Sequence, residues 1–236
     1  MKKDGIYVID FDDVLVYLAK SVYHNIRAHW RVFNKYFWNP GSIGINEIYS
    51  RKMFNVNEWL IANKFINLTS AQYSSIQLEI MKLVKEYCFK YDIYSDIELT
   101  DFAKTTVLNP MFLDNPVVKR VYIISRSITD EQAKSKEEFI NRYFSHPKFT
   151  YIPVGEHESK YEAIKKLNIS FDVFIDDEIP NIRDVAEHIH DLTGKEFIIP
   201  KYGYNKMPQE LKFLIESRGG SISYINDPNV QITEDE

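Results

Sequence analysis

Gly5-Ile-Tyr-Val-Ile-Asp10-Phe-Asp12-Asp-Val14 is the stretch on which the fold turns. Ile6, Tyr7, Val8 and Ile9 form a short continuous apolar run, the pattern of a strand buried on both faces of a parallel sheet. The run ends in carboxylates: Asp10, Asp12 and Asp13. In an open parallel sheet, ligands sit beyond the carboxyl ends of the strands, near the point where strand order reverses. Polar residues that follow buried strands are therefore the ones to collect.

Beyond Val14 the pattern changes to a period of three and four. Leu15, Leu18, Val22, Ile26, Trp30, Phe33 and Phe37 make a helix stripe from Val14 to about Phe37, which Asn39-Pro40-Gly41 stops. Weaker helical segments follow around Asn46–Met53 and Val56–Phe65. Thr69 or Ser70 can cap a longer helix in which Ile76, Ile80, Leu83, Val84, Tyr87 and Tyr91 keep the period. Residues 15–115 are thus expected to be helical. A segment of ~100 residues is far longer than a βα loop, so it is expected to pack as a unit of its own inserted after the first strand.

At Val117 the pattern changes again. Val117, Val118 and Val121–Ile124 form a β-branched run ending at Ser125, and Thr129-Asp-Glu-Gln132 is a capping box for a helix carrying Phe139, Ile140 and Phe144. Phe149–Val154 reads as a short strand. Ser159-Lys-Tyr-Glu162 is a second capping box, opening a helix to Leu167, and Phe171–Ile175 is a buried strand running into Asp176-Asp177. Pro180 sits where a helix would begin, that helix runs to about His190, and Glu196–Ile199 is a fourth strand after the crossover. Strands alternating with helices imply right-handed crossovers and a parallel sheet with helices on both faces. The expected architecture is a Rossmann-like α/β core, residues 1–14 and 116–236, with the helical unit 15–115 inserted. The polar end, Gln231–Glu236, is expected to fray.

Composition narrows the function classes. Of 236 residues, 44% are hydrophobic and 27% charged, ordinary globular usage that supports a core without disulfides. Lys plus Arg number 29 and Asp plus Glu 34, a net charge of −5, so nucleic acid could bind only through a local patch. Cys88 is the single cysteine and cannot form an internal disulfide. No window approaches ~18 consecutive apolar residues, and no apolar stretch suited to a signal peptide precedes the first acidic cluster. The expectation is a soluble, cytoplasmic protein of a reducing compartment.

The strand ends then supply the candidate chemistry. Asp10, Asp12 and Asp13 follow the first strand, Ser125 and Arg126 the second, Asp176, Asp177 and Glu178 a later one, and Lys160 opens the helix between them. So many carboxylates in one cleft would repel one another unless a divalent cation neutralised them. Hard oxygen donors suit Mg²⁺. A single Cys and the dispersed His24, His29, His157, His188 and His190 do not suit zinc.

These residues carry a resemblance. Tyr-Val-Ile-Asp10-Phe-Asp12-Asp-Val14 resembles the first motif, DxDx(T/V), of the haloacid dehalogenase-like (HAD) phosphohydrolases. Val-Tyr-Ile-Ile-Ser125 resembles the second, Ser159-Lys160 the third, and Phe-Ile-Asp176-Asp177-Glu-Ile-Pro-Asn181 the acidic fourth, in family order across residues 1–14 and 116–205. The resemblance implies an Asp10 nucleophile that forms an aspartyl-phosphate, with Asp12 as acid and then base. It implies that Ser125 hydrogen-bonds a phosphoryl oxygen and that Lys160 neutralises the nucleophile's environment and the transferred group. Mg²⁺ would be held by Asp10, the backbone carbonyl of Asp12 and a fourth-motif acid, Asp177 aligning best and Asp176 the alternative. Asn181 stands where the family often has a further acid. The insert matches the family's helical C1 cap, which limits access to small phosphomonoesters. The first cap helix and the Ile-Asp-Asp-x-x-Pro stretch are loosely similar to the 5'(3')-deoxyribonucleotidases, which suggests a nucleoside monophosphate.

Other readings start from the same residues. Taken singly, Ser125 is a turn residue, Lys160 a solvated first-turn lysine and Asp176-Asp177 a helix cap. Lys160 is the unusual one, since a cation at a helix N-terminus opposes the dipole by ~0.3–1 kcal/mol unless an anion lies near. Arg126 could clamp an anionic substrate or salt-bridge Asp13. Trp30, Phe33, Phe37 and Trp38 read as cap core, or one of them as a platform for a base. Lys201-Tyr-Gly-Tyr-Asn205 resembles the segment after the fourth motif of nucleotidase-like HAD proteins. A polynucleotide 3'-phosphatase would need an open cleft and a basic path, for which Arg27, Arg31, Lys35, Arg51 and Lys52 are available. A phosphate-binding module would not need Asp12. A nucleotide-sugar transferase would more usually carry its DxD mid-chain.

Overall fold

The computed structural model describes residues 5–36, 43–53, 55–64, 68–90 and 92–232. Expectations placed on Phe37, Trp38, Asn39-Pro40-Gly41, Phe65, Tyr91 and residues 233–236 lie outside these. The strands β1 (Gly5–Asp10), β2 (Val118–Arg126), β3 (Phe149–Val154), β4 (Val173–Ile175), β5 (Glu196–Pro200) and β6 (Ser221–Ile225) form one parallel sheet in the order β3-β2-β1-β4-β5-β6. The chain winds from β1 outward to β3, crosses back to β4 on the other side of β1 and winds outward again. Strand order therefore reverses between β1 and β4, where Ile9 pairs with Ile175 and so sets Asp10 beside Asp176. On its other side Asp10 pairs with Ile124, one residue short of Ser125.

The crossovers carry α7 (Asp130–Tyr143), α8 (Lys160–Lys166), α9 (Ile179–His188) and α10 (Gln209–Ser217). Thr129 caps α7 by accepting from the Gln132 N–H, and Ser159 caps α8 in a reciprocal box with Glu162. The sequence pattern did not mark the α10–β6 unit. Ser221–Ile225 is a half-exposed edge strand, so it lacks the apolar run that announces the inner strands.

Between β1 and β2 lie α1 (Leu18–Ala28), α2 (Trp30–Phe33), α3 (Ile45–Ser50), α4 (Val56–Lys64), α5 (Ser70–Val84) and α6 (Pro110–Leu113), with π-helical turns at Lys85–Phe89 and Ala103–Val107. Two details differ from the stripe expected from Val14. The helix begins at Leu18, because the Leu15 and Val16 amides both turn back to the Phe11 carbonyl and Val16 bridges to Leu99. The stripe also breaks at His29, separating α1 from α2.

The two faces of the sheet are buried differently. Val8, Ile124, Phe174 and Phe197 pack with Ile164, Ile182 and Leu211 from α8, α9 and α10. Tyr7, Ile9, Phe11 and Ile123 pack with Phe139 of α7, and this cluster continues without a break into Val22, Ile26, Ile48, Leu60, Ile80 and Val84 of the insert. That two-sided burial is what the unbroken apolar run of β1 requires. Among the described residues, no helix is long and apolar enough to cross a membrane.

Candidate active site

Lys160 is the first residue of α8, and its buried ammonium donates to Asp10 Oδ1 at 2.8 Å and to Asp176 Oδ2 at 2.7 Å. The two anions offset the unfavourable dipole that a cation meets at this end of a helix. Burial alone would lower the Lys160 pKa, but Asp10, Asp176 and Glu178 raise it overall, so the ammonium form is firmly held. Asp10 is pushed up to about 7, first by burial and then by its carboxylate neighbours Asp176 and Asp12, against the pull of Lys160.

Asp176 and Asp177 differ in what they do. The Asp176 Oδ1 accepts from the Glu178 N–H at 2.9 Å and from Asn181 Nδ2 at 3.1 Å, while its Oδ2 faces Lys160. Asp177 instead lines the cavity and receives the Tyr204 hydroxyl at 2.9 Å. Among the described residues no cation pairs with Asp177; burial, then Asp13 and Asp10, raises it well above the usual carboxylate range. Asp10, Asp176 and Asp177 each offer a carboxylate oxygen within 4.8 Å of the others. A buried set of hard oxygen donors with more negative charge than Lys160 can balance fits a divalent cation.

Asp12 lies on the opposite side, in a network the sequence reading missed. Its Oδ2 receives the Lys136 ammonium at 2.5 Å and the Ser125 hydroxyl at 3.4 Å, and its Oδ1 the Tyr94 hydroxyl at 3.0 Å. Lys136 comes from α7 and Tyr94 from the insert. One signal was available for Lys136: it falls on the same helical stripe as Gln132, Phe139 and Ile140, which are buried. Tyr94 sits in a turn and gave none.

A third group braces the site from outside. Asp13 takes a positive φ of 52° and accepts from the Ala19 N–H of α1 at 3.0 Å and from the Tyr49 hydroxyl at 2.5 Å. Burial raises Asp13 to about 6 despite Tyr49 and Arg51. The Tyr202 hydroxyl donates to the Asp13 carbonyl at 2.9 Å, and Asn205 Nδ2 to the Asp177 carbonyl at 3.2 Å. Lys201-Tyr-Gly-Tyr-Asn205 is therefore a clasp on both acidic loops. Gly203 is required in it, since a Cβ there would lie 2.1 Å from the Ser50 carbonyl oxygen. The Arg51 guanidinium stacks over the Tyr204 ring at 4.6 Å.

These groups enclose a cavity of about 290 Å³. Asp10, Asp12, Ser125, Arg126, Lys160 and Asp177 line its sheet end; Leu18, Val22, Met81, Val84 and Phe89 line the end toward the insert, with Arg51 and Asn57. The Asn57 Oδ1 is buried and, among the described residues, has no hydrogen-bond partner. Arg126 makes no ion pair with Asp13 among the described residues, so that alternative is set aside; its Nε is buried and unpartnered. Neither Trp30 nor Phe33 lines the cavity, and both belong to the apolar core. Arg51 is buried, whereas Arg27, Arg31, Lys35 and Lys52 are exposed, so the five do not form one basic path.

No protein-family model matches the chain, and no curated protein matches it. Solved structures do. A HAD-superfamily hydrolase from Geobacter sulfurreducens shares 12% identity over 92% of this chain and 99% of its own, with a TM-score of 0.47. YfnB of Bacillus subtilis, a HAD-hydrolase bound to magnesium, shares 11% over 92% and 99%, with a TM-score of 0.42. CbbY of Rhodobacter sphaeroides, in complex with xylulose-1,5-bisphosphate, shares 11% over 86% and 89%, with a TM-score of 0.45. Apart from these likenesses, the structure gathers Asp10, Ser125, Lys160 and Asp176-Asp177 at the carboxyl end of the parallel sheet.

Proposed function

We propose that the chain is a Mg²⁺-dependent phosphomonoester hydrolase of the HAD type that acts on a nucleoside monophosphate, with residues 15–115 as its cap. The observation that carries the reading is the Asp10–Lys160–Asp176 junction beside Asp177, with Ser125 and Asp12 facing the same cavity. An Asp10 oxygen bonds to phosphorus as the bond from phosphorus to the leaving oxygen breaks, and Asp12 passes its proton to that oxygen. Asp12 then takes a proton from the water that attacks phosphorus, which frees Asp10 and inorganic phosphate. Ser125 and Lys160 hold the phosphoryl oxygens throughout. Asp10, the Asp12 carbonyl and Asp177 would hold Mg²⁺, which would neutralise charge on the phosphoryl group. Asp177 is preferred to Asp176 because Asp176 is committed to Lys160, Asn181 and the Glu178 amide.

The cavity supports a small substrate, since about 290 Å³ lies at the lower end of the range for small-molecule sites. Its apolar wall suits the flat body of a nucleobase, and Asn57 Oδ1 suits a hydrogen-bond donor on it. The burial of Arg51 and the net charge of −5 weigh against a polynucleotide. Phosphate release from mononucleotides, sugar phosphates and 3'-phosphorylated oligonucleotides, with Mg²⁺ present, tests the proposal. Turnover of mononucleotides above the others is expected. Hydrolysis of sugar phosphates alone would remove the nucleotide part, and Asp10→Asn turning over normally would remove the rest.

A further inference from the structure

We infer that Lys136 is the positioning residue of the acid/base, fixing Asp12 and Ser125 as one unit aimed at the leaving-group oxygen; the inference rests on the phosphohydrolase reading above. Lys136 lies in the middle of α7 and is 0% exposed. Its Nζ donates to Asp12 Oδ2 at 2.5 Å, to Ser125 Oγ at 2.8 Å and to the Arg126 carbonyl at 2.5 Å, which uses all three ammonium protons. The same helix also controls the other Asp12 oxygen. One turn earlier, Gln132 Nε2 donates at 3.0 Å to the Tyr94 hydroxyl, which donates in turn to Asp12 Oδ1 at 3.0 Å. Gln132 is itself held, its Oε1 accepting from the Ile128 N–H at 2.8 Å.

Two buried lysines thus divide the site, Lys160 on Asp10 and Asp176, Lys136 on Asp12 and Ser125. An ammonium on the buried stripe of α7, between Gln132 and Phe139, costs desolvation that an apolar residue would not. Its partners indicate the return on that cost. Held at both oxygens, Asp12 cannot swing away as the phosphorus–oxygen bond breaks, the new bond to Asp10 forms and the Asp12 proton moves to the departing oxygen. Such an orienting effect scales with how much the leaving oxygen needs that proton.

The test compares kcat/KM, which reports the steps up to phosphorylation, for a nucleoside 5'-monophosphate and for p-nitrophenyl phosphate, whose phenolate departs without a proton. Both are measured with Mg²⁺ on the full chain. Lys136→Met is expected to lose about 100-fold on the nucleotide and less than about fivefold on the nitrophenyl ester. In an Asp12→Asn background the same substitution should add almost nothing on the nucleotide. Lys136→Gln, which keeps N–H donors but loses the charge, should show the same split with a smaller loss. Equal losses on both esters, or additive losses with Asp12→Asn, would overturn the inference, as would failure of both Lys136 variants to fold, which marks a purely structural lysine. If the unaltered chain hydrolyses neither ester, the phosphohydrolase reading falls as well; if it hydrolyses them and only the Lys136 split is absent, that reading stands.

Discussion

The two ends of the cavity are built on different principles. At the sheet end, Asp10, Asp12, Ser125, Asp177 and Lys160 each lie at or just past the end of a β-strand or open a helix, and strand register alone brings Asp10 beside Asp176 and near Ser125. At the opposite end the lining comes from separated pieces of the insert, Leu18 and Val22 from α1, Asn57 from α4, Met81 and Val84 from α5, and none is placed by a shared register. The sheet end is charged and buried; the insert end is largely apolar, with Arg51, Asn55 and Asn57 as polar lining. The contrast suggests that the chemistry is set by the sheet and the choice of substrate by the insert.

The comparison breaks first at Asp10. Asp10→Asn should lower phosphate release by about 10⁴-fold or more while circular dichroism and the melting curve stay those of a folded protein, since Asn keeps the shape of the side chain. Lys160→Met should act on stability as well as rate. It strands Asp10 and Asp176 without their buried partner, a loss of about 3–5 kcal/mol read by urea denaturation.

Metal and pH sharpen the same point. Asp10 is raised to about 7 and Asp13 to about 6 from an ordinary value of 3.8, so the folded metal-free chain holds protons that the unfolded chain releases. The contribution of these two groups to stability in the presence of EDTA should be full below about pH 4 and be lost as pH rises toward about 7, read as a smaller fall in Tm over that range for Asp10→Asn than for the unaltered chain. Mg²⁺ at 100 times its Kd should add about 2.7 kcal/mol near neutral pH, which for a chain of this size is a rise of roughly 5–10 °C.

Smaller effects are expected away from the acids. Gly203→Ala should cost about 1–3 kcal/mol, because the added carbon meets the rigid Ser50 carbonyl, and should weaken Mg²⁺ binding by loosening Tyr204 on Asp177. Asn57→Ala should leave kcat on p-nitrophenyl phosphate intact and change by about tenfold the ratio of kcat/KM between a nucleotide with a base amino group and one without. Equal effects of Asn57→Ala on all substrates would dissolve the division between the two ends.

The same division explains what could be read from sequence. Ile6–Ile9, the Val121–Ile124 run, Asp176-Asp177 and the two capping boxes are local patterns, and each fixes a strand end or helix start by itself. The stripe of α7 that carries Lys136 is legible from Phe139 and Ile140, but its partner Asp12 is 124 residues away and only the fold joins the two. Tyr94 and Asn57 depend on how the insert packs, which periodicity does not specify. The helix start at Leu18 was obscured because Val14, Leu15 and Val16 are buried by the turn after β1, so their apolar character says nothing about helix. The edge strand β6 lacks a buried face strong enough to mark it.

The central claim is that Asp10 is transiently phosphorylated. Asp12→Asn chain mixed with Mg²⁺ and a phosphomonoester, quenched in acid and digested for mass spectrometry, addresses it directly. The peptide containing residue 10 should carry one phosphoryl group on Asp10, in larger yield than in the unaltered chain. A phosphoryl group on any other residue, or none on Asp10 in a chain that hydrolyses the ester, would contradict the claim.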